Sequence, residues 1–229
     1  MENQLLAALP PEEYSRLALY MEVVPLEFKQ YLYLRNQPIE YVYFVNKGVA
    51  SMLTVMTDGS AIEVATVGNE GMVGLPVFLG AEKIPGECFI QVPGSGLRMR
   101  VDAFKTHVTA SSPLHNLLQR YTQALFNQIA QSAACNRLHS IEQRMCRWLL
   151  MTADRVETDT FPLTQEFLSH MLGVNRSTVS LSASILQNAG LINYTRGQIT
   201  ILDRSGLEDI TCECYQIVNA EFDRLLNGK

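Results

Sequence analysis

With 229 residues, 47% of them hydrophobic and 18% charged, the chain holds material for two small domains with packed cores, and a disordered or fibrous chain is excluded. It has no run of about 18 apolar residues and no basic-then-apolar leader, so membrane spanning and secretion are not expected and cytoplasmic residence is. A net charge of −5 offers no bulk attraction to a polyanion, and five scattered cysteines, an odd number, argue against a disulfide framework.

Residues 4–21 carry Leu5, Leu6 and Leu9 ahead of Pro10-Pro11, and Leu17, Leu19 and Met21 after Glu12-Glu13, the pattern of an amphipathic helix that the double proline splits in two. Across residues 23–101 the character changes to short β-branched and aromatic runs, at 31–34, 41–45, 49–56, 62–67, 88–92 and 97–101. Asn46-Lys47-Gly48, Asp58-Gly59, Gly68-Asn69, Pro85-Gly86 and Pro93-Gly94 punctuate them as turns. Many short strands at such spacing predict an antiparallel sandwich or roll, with Asp58-Gly59 as its clearest hairpin.

Asp102 is placed to cap a short helix holding Phe104, and Ser111-Ser112-Pro113 opens a helical stretch that runs to about Arg137. Such a helix, of about 24 residues and about 36 Å, is longer than a small roll can cover. Its apolar stripe of Leu114, Leu118, Tyr121, Leu125 and Ile129 is therefore expected to hold a homodimer together. Ser140 with Gln143 three residues on forms a capping-box pattern, so a hinge is expected at residues 136–140 and a new helix from Ile141.

Residues 163–202 are the most informative stretch. Thr164 can cap a short helix starting at Gln165. Gly173 supplies a sharp turn, and Asn175 can cap a second helix starting at Arg176. In that second helix Val179, Ala183 and Leu186 share one face, while Ser177, Ser180, Ser184 and Gln187 share the other. A short helix with an apolar back, a polar front and a leading arginine suits insertion into a DNA major groove. Two short strands around Thr195-Arg196-Gly197 follow, a hairpin with Arg196 at its tip. Thr164, Gln165, Ser177 and Thr178, at helix N-termini, are candidates for phosphate contacts, with Asn175, Arg176, Ser180 and Arg196 completing the expected DNA-binding set. From His139 onward eight basic residues face eleven acidic ones, so affinity must come from a few placed arginines, helix N-termini and dimer avidity.

The tail from Arg204 reads as helical, with Leu207, Ile210, Ile217, Val218, Phe222 and Leu225 at helical spacings. Within it Cys212-Glu213-Cys214 resembles a metal pattern. In a helix, however, residues two apart point about 200° away from each other, so the two thiols are not expected to share an ion, and no metal or resident cofactor is expected.

A helix, a glycine-punctuated roll, a long helix and a C-terminal winged helix-turn-helix, in that order, resemble the Crp/Fnr superfamily of bacterial transcription regulators over residues 10–202. The most specific parts are the segment from Leu163-Thr164-Gln165-Glu166 to Leu191-Ile192 and the loop Gly68-Asn69-Glu70-Gly71-Met72-Val73-Gly74-Leu75. The resemblance implies an α+β chain with a sensor roll in residues 1–110, a connecting and dimerisation helix in 111–138 and a winged helix-turn-helix with its tail in 139–229. It further implies a homodimer on palindromic double-stranded DNA, RNA polymerase as a partner, and no catalysis. Arg176 falls on the family's base-reading arginine. Ser177 and Leu181 replace the glutamate and second arginine of cyclic-AMP-type members, so a different half-site is expected.

By the same resemblance an effector pocket falls at Val73, Gly74, Leu75, Gly86, Glu87 and Cys88, with Ile129 and Ala130 from the long helix. Leu75 stands where cyclic-AMP-binding members carry a ribose-binding glutamate, and Ile84-Pro85-Gly86-Glu87 where they carry Arg-Ser for the phosphate. A response to cyclic AMP is not expected, and the pocket suits an unidentified, largely apolar small molecule. Two other classes compete. A metal-dependent β-roll enzyme would need grouped His and Glu ligands that residues 23–101 lack. A regulatory module acting through protein contacts would keep the helix-turn-helix without reading DNA.

Overall fold

The computed structural model describes residues 3–226. Two short helices open the chain, α1 (Gln4–Ala7) and α2 (Pro11–Ala18), separated where the two prolines fall. The buried Asn3 side chain caps α1 by accepting from the Leu6 N–H and donates to the carbonyls of Val45 and Gly71, which ties the N-terminus to the roll. The strands β1 (Met21–Leu26), β2 (Tyr31–Tyr33), β3 (Tyr41–Val55), β4 (Ala61–Val67) and β5 (Met72–Val73) follow. After α3 (Leu75–Phe78) comes β6 (Gly86–Arg100). They form an antiparallel sheet in the order β1-β6-β3-β4, with β2 on β6 and β5 on β3.

The sequence reads Asn46-Lys47-Gly48 and Pro93-Gly94 as turns between separate strands, but the chain runs through both. Each of β3 and β6 is a single strand of 15 residues, and the two irregular stretches lie opposite each other, with Lys47 paired to Ser95 and register shifts on either side. Paired bulges bend the ribbon and close the sheet into a roll. Glycine is required there: Gly48 has φ +95°, a Cβ on it would sit 2.5 Å from the Val92 carbonyl oxygen, and one on Gly94 would strike the Lys47 carbonyl. The Asp58-Gly59 hairpin forms as read, joining β3 to β4.

α4 (Val101–His107) leads into α5 (Pro113–Leu138), whose N-cap Ser112 accepts from the His115 N–H. The N-cap of α4 is Arg100 rather than Asp102, whose carboxylate instead accepts from the Ala103 N–H within the first turn. At 26 residues α5 spans about 39 Å. Its apolar stripe does not face outward: Leu114, Leu118, Tyr121 and Leu125 are buried within the chain itself, and only Ile129 is partly exposed. The assignment of these residues to a partner contact is therefore corrected. An apolar stripe has the same spacing whether the chain's own roll or a second helix covers it. Here the roll does, with the Tyr121 hydroxyl donating to the Met72 carbonyl at 3.2 Å and its ring lying where a Cβ of Gly71 would be.

The capping box of Ser140 and Gln143 opens α6 (Ile141–Val156). Next come β7 (Thr160–Pro162), α7 (Gln165–Leu172), α8 (Arg176–Asn188), β8 (Ile192–Thr195) and β9 (Gln198–Ile201), with a small sheet in the order β7-β9-β8. β7 escaped the sequence reading because three residues carry no usable period. The tail is two helices, α9 (Arg204–Ile210) and α10 (Cys214–Leu226), with α10 running back along α5. No helix among the described residues is long and apolar enough to cross a membrane.

The bend yields a comparison of two glycines. Gly59 also has positive φ, +85°, but a Cβ there would meet nothing within 4 Å. Gly59→Ala should therefore cost only the left-handed backbone, about 1–2 kcal/mol, while Gly48→Ala, which adds a backbone collision, should cost clearly more in urea unfolding. Equal losses would show that the bend tolerates a side chain.

Candidate nucleic-acid interface

The helix-turn-helix head is assembled by caps the sequence names. The Thr164 hydroxyl accepts from the Phe167 N–H at the start of α7, and Gly173, with φ +62°, ends that helix. Asn175 Oδ1 accepts from the Thr178 N–H at 2.9 Å and from the hydroxyls of Ser177 and Thr178. Thr178 is thereby committed to the cap with both of its donors. α8 buries Val179, Ser182, Ala183 and Leu186 and exposes Arg176, Ser177, Leu181 and Ser184. Ser180 donates to Gln165 Oε1 at 3.0 Å and so ties α8 to the start of α7. In the wing, Thr195 pairs with Gln198 across a two-residue turn whose residues both have positive φ, +53° at Arg196 and +76° at Gly197. That is the twist a tight hairpin prefers. Thr164, Gln165, Arg176, Tyr194 and Arg196 border one open groove of about 310 Å³. Burial pushes the Tyr194 phenol up to about 12, and the nearby Arg176 charge opposes that rise.

Most arginines of this half are already engaged within the chain. Arg144 donates to the Leu172 carbonyl and to Asn136, Arg147 is buried on α6, and Arg155 forms a buried ion pair with Glu70 at 2.9 Å. Arg204 holds Asp154 and Glu208, and Arg224 holds Glu221. Among the described residues, Arg176 and Arg196 are the arginines of the head left without a hydrogen bond or ion pair, and they share the open groove.

Behind the groove the head is docked on the roll. Phe167 of α7 sits between Phe28 and Phe89, with ring centroids 6.5 and 5.4 Å away, and the Gly173 turn abuts Ile62. Trp148 Nε1 donates to Glu63 Oε1 at 3.0 Å, while the Ser51 hydroxyl donates to Glu63 Oε2 at 2.6 Å. Burial raises the Glu63 carboxyl from 4.5 to about 7, against the opposing pull of those hydrogen bonds and of Arg147 and Arg155. The cavity beside it, about 20 Å³, is the size of one water.

The eight residues expected to line an effector pocket do not converge. Val73, Leu75 and Cys88 are packed into the core, Gly74 is turned onto Val42 with φ +99°, and Gly86 lies against the Leu53 carbonyl. Ala130 is on the outer face of α5, with Ile129 half-buried beside it. Tyr33 and Tyr121 fill the roll interior near Cys88, and burial pushes both phenols far above their ordinary value. Glu87 alone of the eight borders the groove of about 320 Å³ between roll and head, with Lys29, Tyr31, Leu53, Phe167 and His170. Sequence reasoning missed this groove because its walls come from segments more than 70 residues apart.

Comparison with known proteins agrees with this architecture. Residues 143–210 match the Crp-like helix-turn-helix domain. No curated protein matches the chain in sequence. Among solved structures, it resembles FixK2 from Bradyrhizobium japonicum, with 17% identity and a TM-score of 0.71 over 84% of this chain and 98% of that one. The c-di-GMP-responsive global regulator CLP from Xanthomonas campestris gives 13% and 0.67, over 84% of this chain and 99% of that one. A CRP-family transcriptional regulator from Thermus thermophilus gives 17% and 0.67, over 82% and 95%. The chain thus carries a Crp-like helix-turn-helix domain, and as a whole it has the fold of the Crp/Fnr transcriptional regulators.

The Glu63 contact makes docking sensitive to pH. Because the folded-state value lies above the ordinary one, the folded chain holds the extra proton between 4.5 and about 7. The stability this supplies is complete below 4.5 and is lost as pH rises through about 7. The urea midpoint should fall across that window in the wild type and fall less in Glu63→Gln, whose amide oxygen can accept from Trp148 while its amide nitrogen donates to the Ser51 hydroxyl. The same slope in both proteins would exclude Glu63 as its source.

Proposed function

We propose that the protein is a homodimeric, sequence-specific transcriptional regulator of the Crp/Fnr type, each α8 entering a major groove of a palindromic operator whose half-sites lie about 34 Å apart. The observation that carries this reading is the pair of unengaged arginines, Arg176 at the head of α8 and Arg196 at the wing tip, on one open face of a head whose other arginines are buried or paired. Arg176 supplies a fork of donors for guanine O6 and N7, and Arg196 meets the flanking phosphate. Leu181, 64% exposed on the front of α8, suits a thymine methyl. Cytoplasmic residence and contact with RNA polymerase follow from that role.

Dimerisation is assigned to the outer face of α5, where Gln119, Gln123, Phe126, Ala130, Ala133 and Arg137 recur at helical spacing and Phe126 is 64% exposed. Small alanines there allow close approach of a second helix. Control by an unidentified small molecule acts on the contact between roll and head, and the groove bordered by Lys29, Glu87, Phe167 and His170 has the volume of a small-molecule site. A ligand there shifts the head only if it binds the docked and released states with different affinity.

Arg176→Ala should lower affinity for the operator by about 1–3 kcal/mol and flatten preference at one base pair of each half-site. Equal loss on scrambled DNA would reduce Arg176 to a phosphate contact. Absence of salt-dependent binding to any promoter fragment would favour the module that acts through protein contacts. Phe126→Asp should give monomers by light scattering, whereas a dimer of unchanged mass would place the interface elsewhere.

A further inference from the structure

Cys135, Cys212 and Cys214 form a buried cluster of their own, separate from the main core. Cys135 lies in the last turn of α5, one turn before its C-cap His139, and Cys212 lies in the link between α9 and α10, whose first residue is Cys214. The expectation that Cys212 and Cys214 point apart fails because residues 211–213 are not helical, so both thiols turn toward α5. Cys135 Sγ is 3.5 Å from Cys212 Sγ, and Cys214 Sγ is 3.4 Å from His139 Nδ1. All four ligand atoms lie within 4.8 Å of one another.

We propose that these residues form a closed, tetrahedral Cys3His site for zinc. With zinc–sulfur bonds of about 2.3 Å and a zinc–nitrogen bond of about 2.0–2.1 Å, tetrahedral ligand atoms stand about 3.5–3.8 Å apart, close to the two distances observed. The surroundings are those of a metal site. Glu213 Oε2 stands 3.2 Å from His139 Nε2, which fixes the ring and leaves Nδ1 facing the thiols. Gln131 Nε2 donates to Cys214 Sγ at 3.1 Å, a bond that a thiolate accepts better than a thiol. Three thiolates and one zinc ion sum to a single negative charge, and Arg144 and Arg147 on α6 are near enough to interact with Cys135. The Nε of each has no hydrogen-bond partner among the described residues. Soft thiolate donors in this number select zinc over calcium or magnesium. The four donors stand too close together to enclose a multi-iron cluster.

The site joins two parts of the chain 73 or more residues apart, since Cys135 and His139 belong to the end of the long helix and Cys212 and Cys214 to the tail of the reading domain. With all four positions filled by protein the ion is structural. It pins the link between α9 and α10 beside the α5–α6 junction, while α10 continues along α5 through Asn127–Glu221 at 2.7 Å and the Tyr121–Phe222 rings. The position of the head relative to the long helix then depends on the ion.

The full chain, purified under reducing conditions, should carry about one zinc per protomer. After chelator stripping, cobalt(II) should restore a tetrahedral d–d spectrum with a thiolate charge-transfer band. Cys212→Ser and Cys214→Ser should each weaken zinc binding more than about 100-fold, beyond the roughly 10–100-fold cost of an outer-shell change. Cys146→Ser, in the main core, should leave metal content unchanged, and His139→Cys should retain the ion with a four-thiolate cobalt spectrum. A wild-type chain that is folded by circular dichroism but binds neither ion would overturn the site. So would a Cys212→Ser protein that binds zinc as tightly as wild type, or a Cys135–Cys212 disulfide standing in place of the metal. The readout is metal content, so this outcome is independent of whether the protein binds DNA.

Discussion

The ion pair between Arg155 of α6 and Glu70 of the glycine-rich loop holds the two halves of this molecule together, and much of the remaining geometry depends on it. Its N–O distance is 2.9 Å and the two side chains are 7% and 11% exposed. The arginine reaches Glu70 only by crossing Gly68, where a Cβ would lie 2.6 Å from its aliphatic stem. Glu70 also accepts from the Gly68 N–H, and Arg155 donates to the Met151 carbonyl, so neither charge is left with unsatisfied surroundings. Breaking such a pair from one side strands a buried charge and costs about 3–5 kcal/mol. The loop that resembles an effector-binding segment is therefore a clasp on the helix-turn-helix domain in this arrangement.

From that clasp the rest of the contact follows. α6 brings Trp148 over Glu63, α7 delivers Phe167 between Phe28 and Phe89, and the helix-turn-helix turn at Gly173 comes against β4. The faces of α7 and α6 that bury apolar surface are thereby used against the roll, while the start of α8 and the wing remain open. The same arrangement decides which arginines of the head stay exposed. Arg144, Arg147 and Arg155 are buried and Arg204 and Arg224 are held in ion pairs at the surface, so a head that is acidic in total leaves Arg176 and Arg196 as exposed arginines along one open groove.

How much of this was legible in the sequence depended on the length over which each signal repeats. Thr164, Gly173, Asn175, Ser140 and Ser112 each carry a local capping or turn rule, and each does in the structure what its rule requires. The tertiary partners of an element were not legible. The stripe Leu114, Leu118, Tyr121 and Leu125 announces a covered face without saying what covers it, and Asn46-Lys47-Gly48 and Pro93-Gly94 look like turns until they are found opposite each other as a paired bend. Cys135 and His139, one helical turn apart, held the missing half of a signal whose other half, Cys212 and Cys214, was obscured by continuing a helix through three residues that break it.

In the proposed function, two heads of this kind bind one palindromic site. Selection of random-sequence DNA by the purified full-length protein tests it most directly. The expected result is enrichment of an inverted repeat with half-site centres about one helical turn apart and a guanine at the position facing Arg176. Recovery of unenriched sequence, or of a single half-site without its symmetric partner, would contradict it.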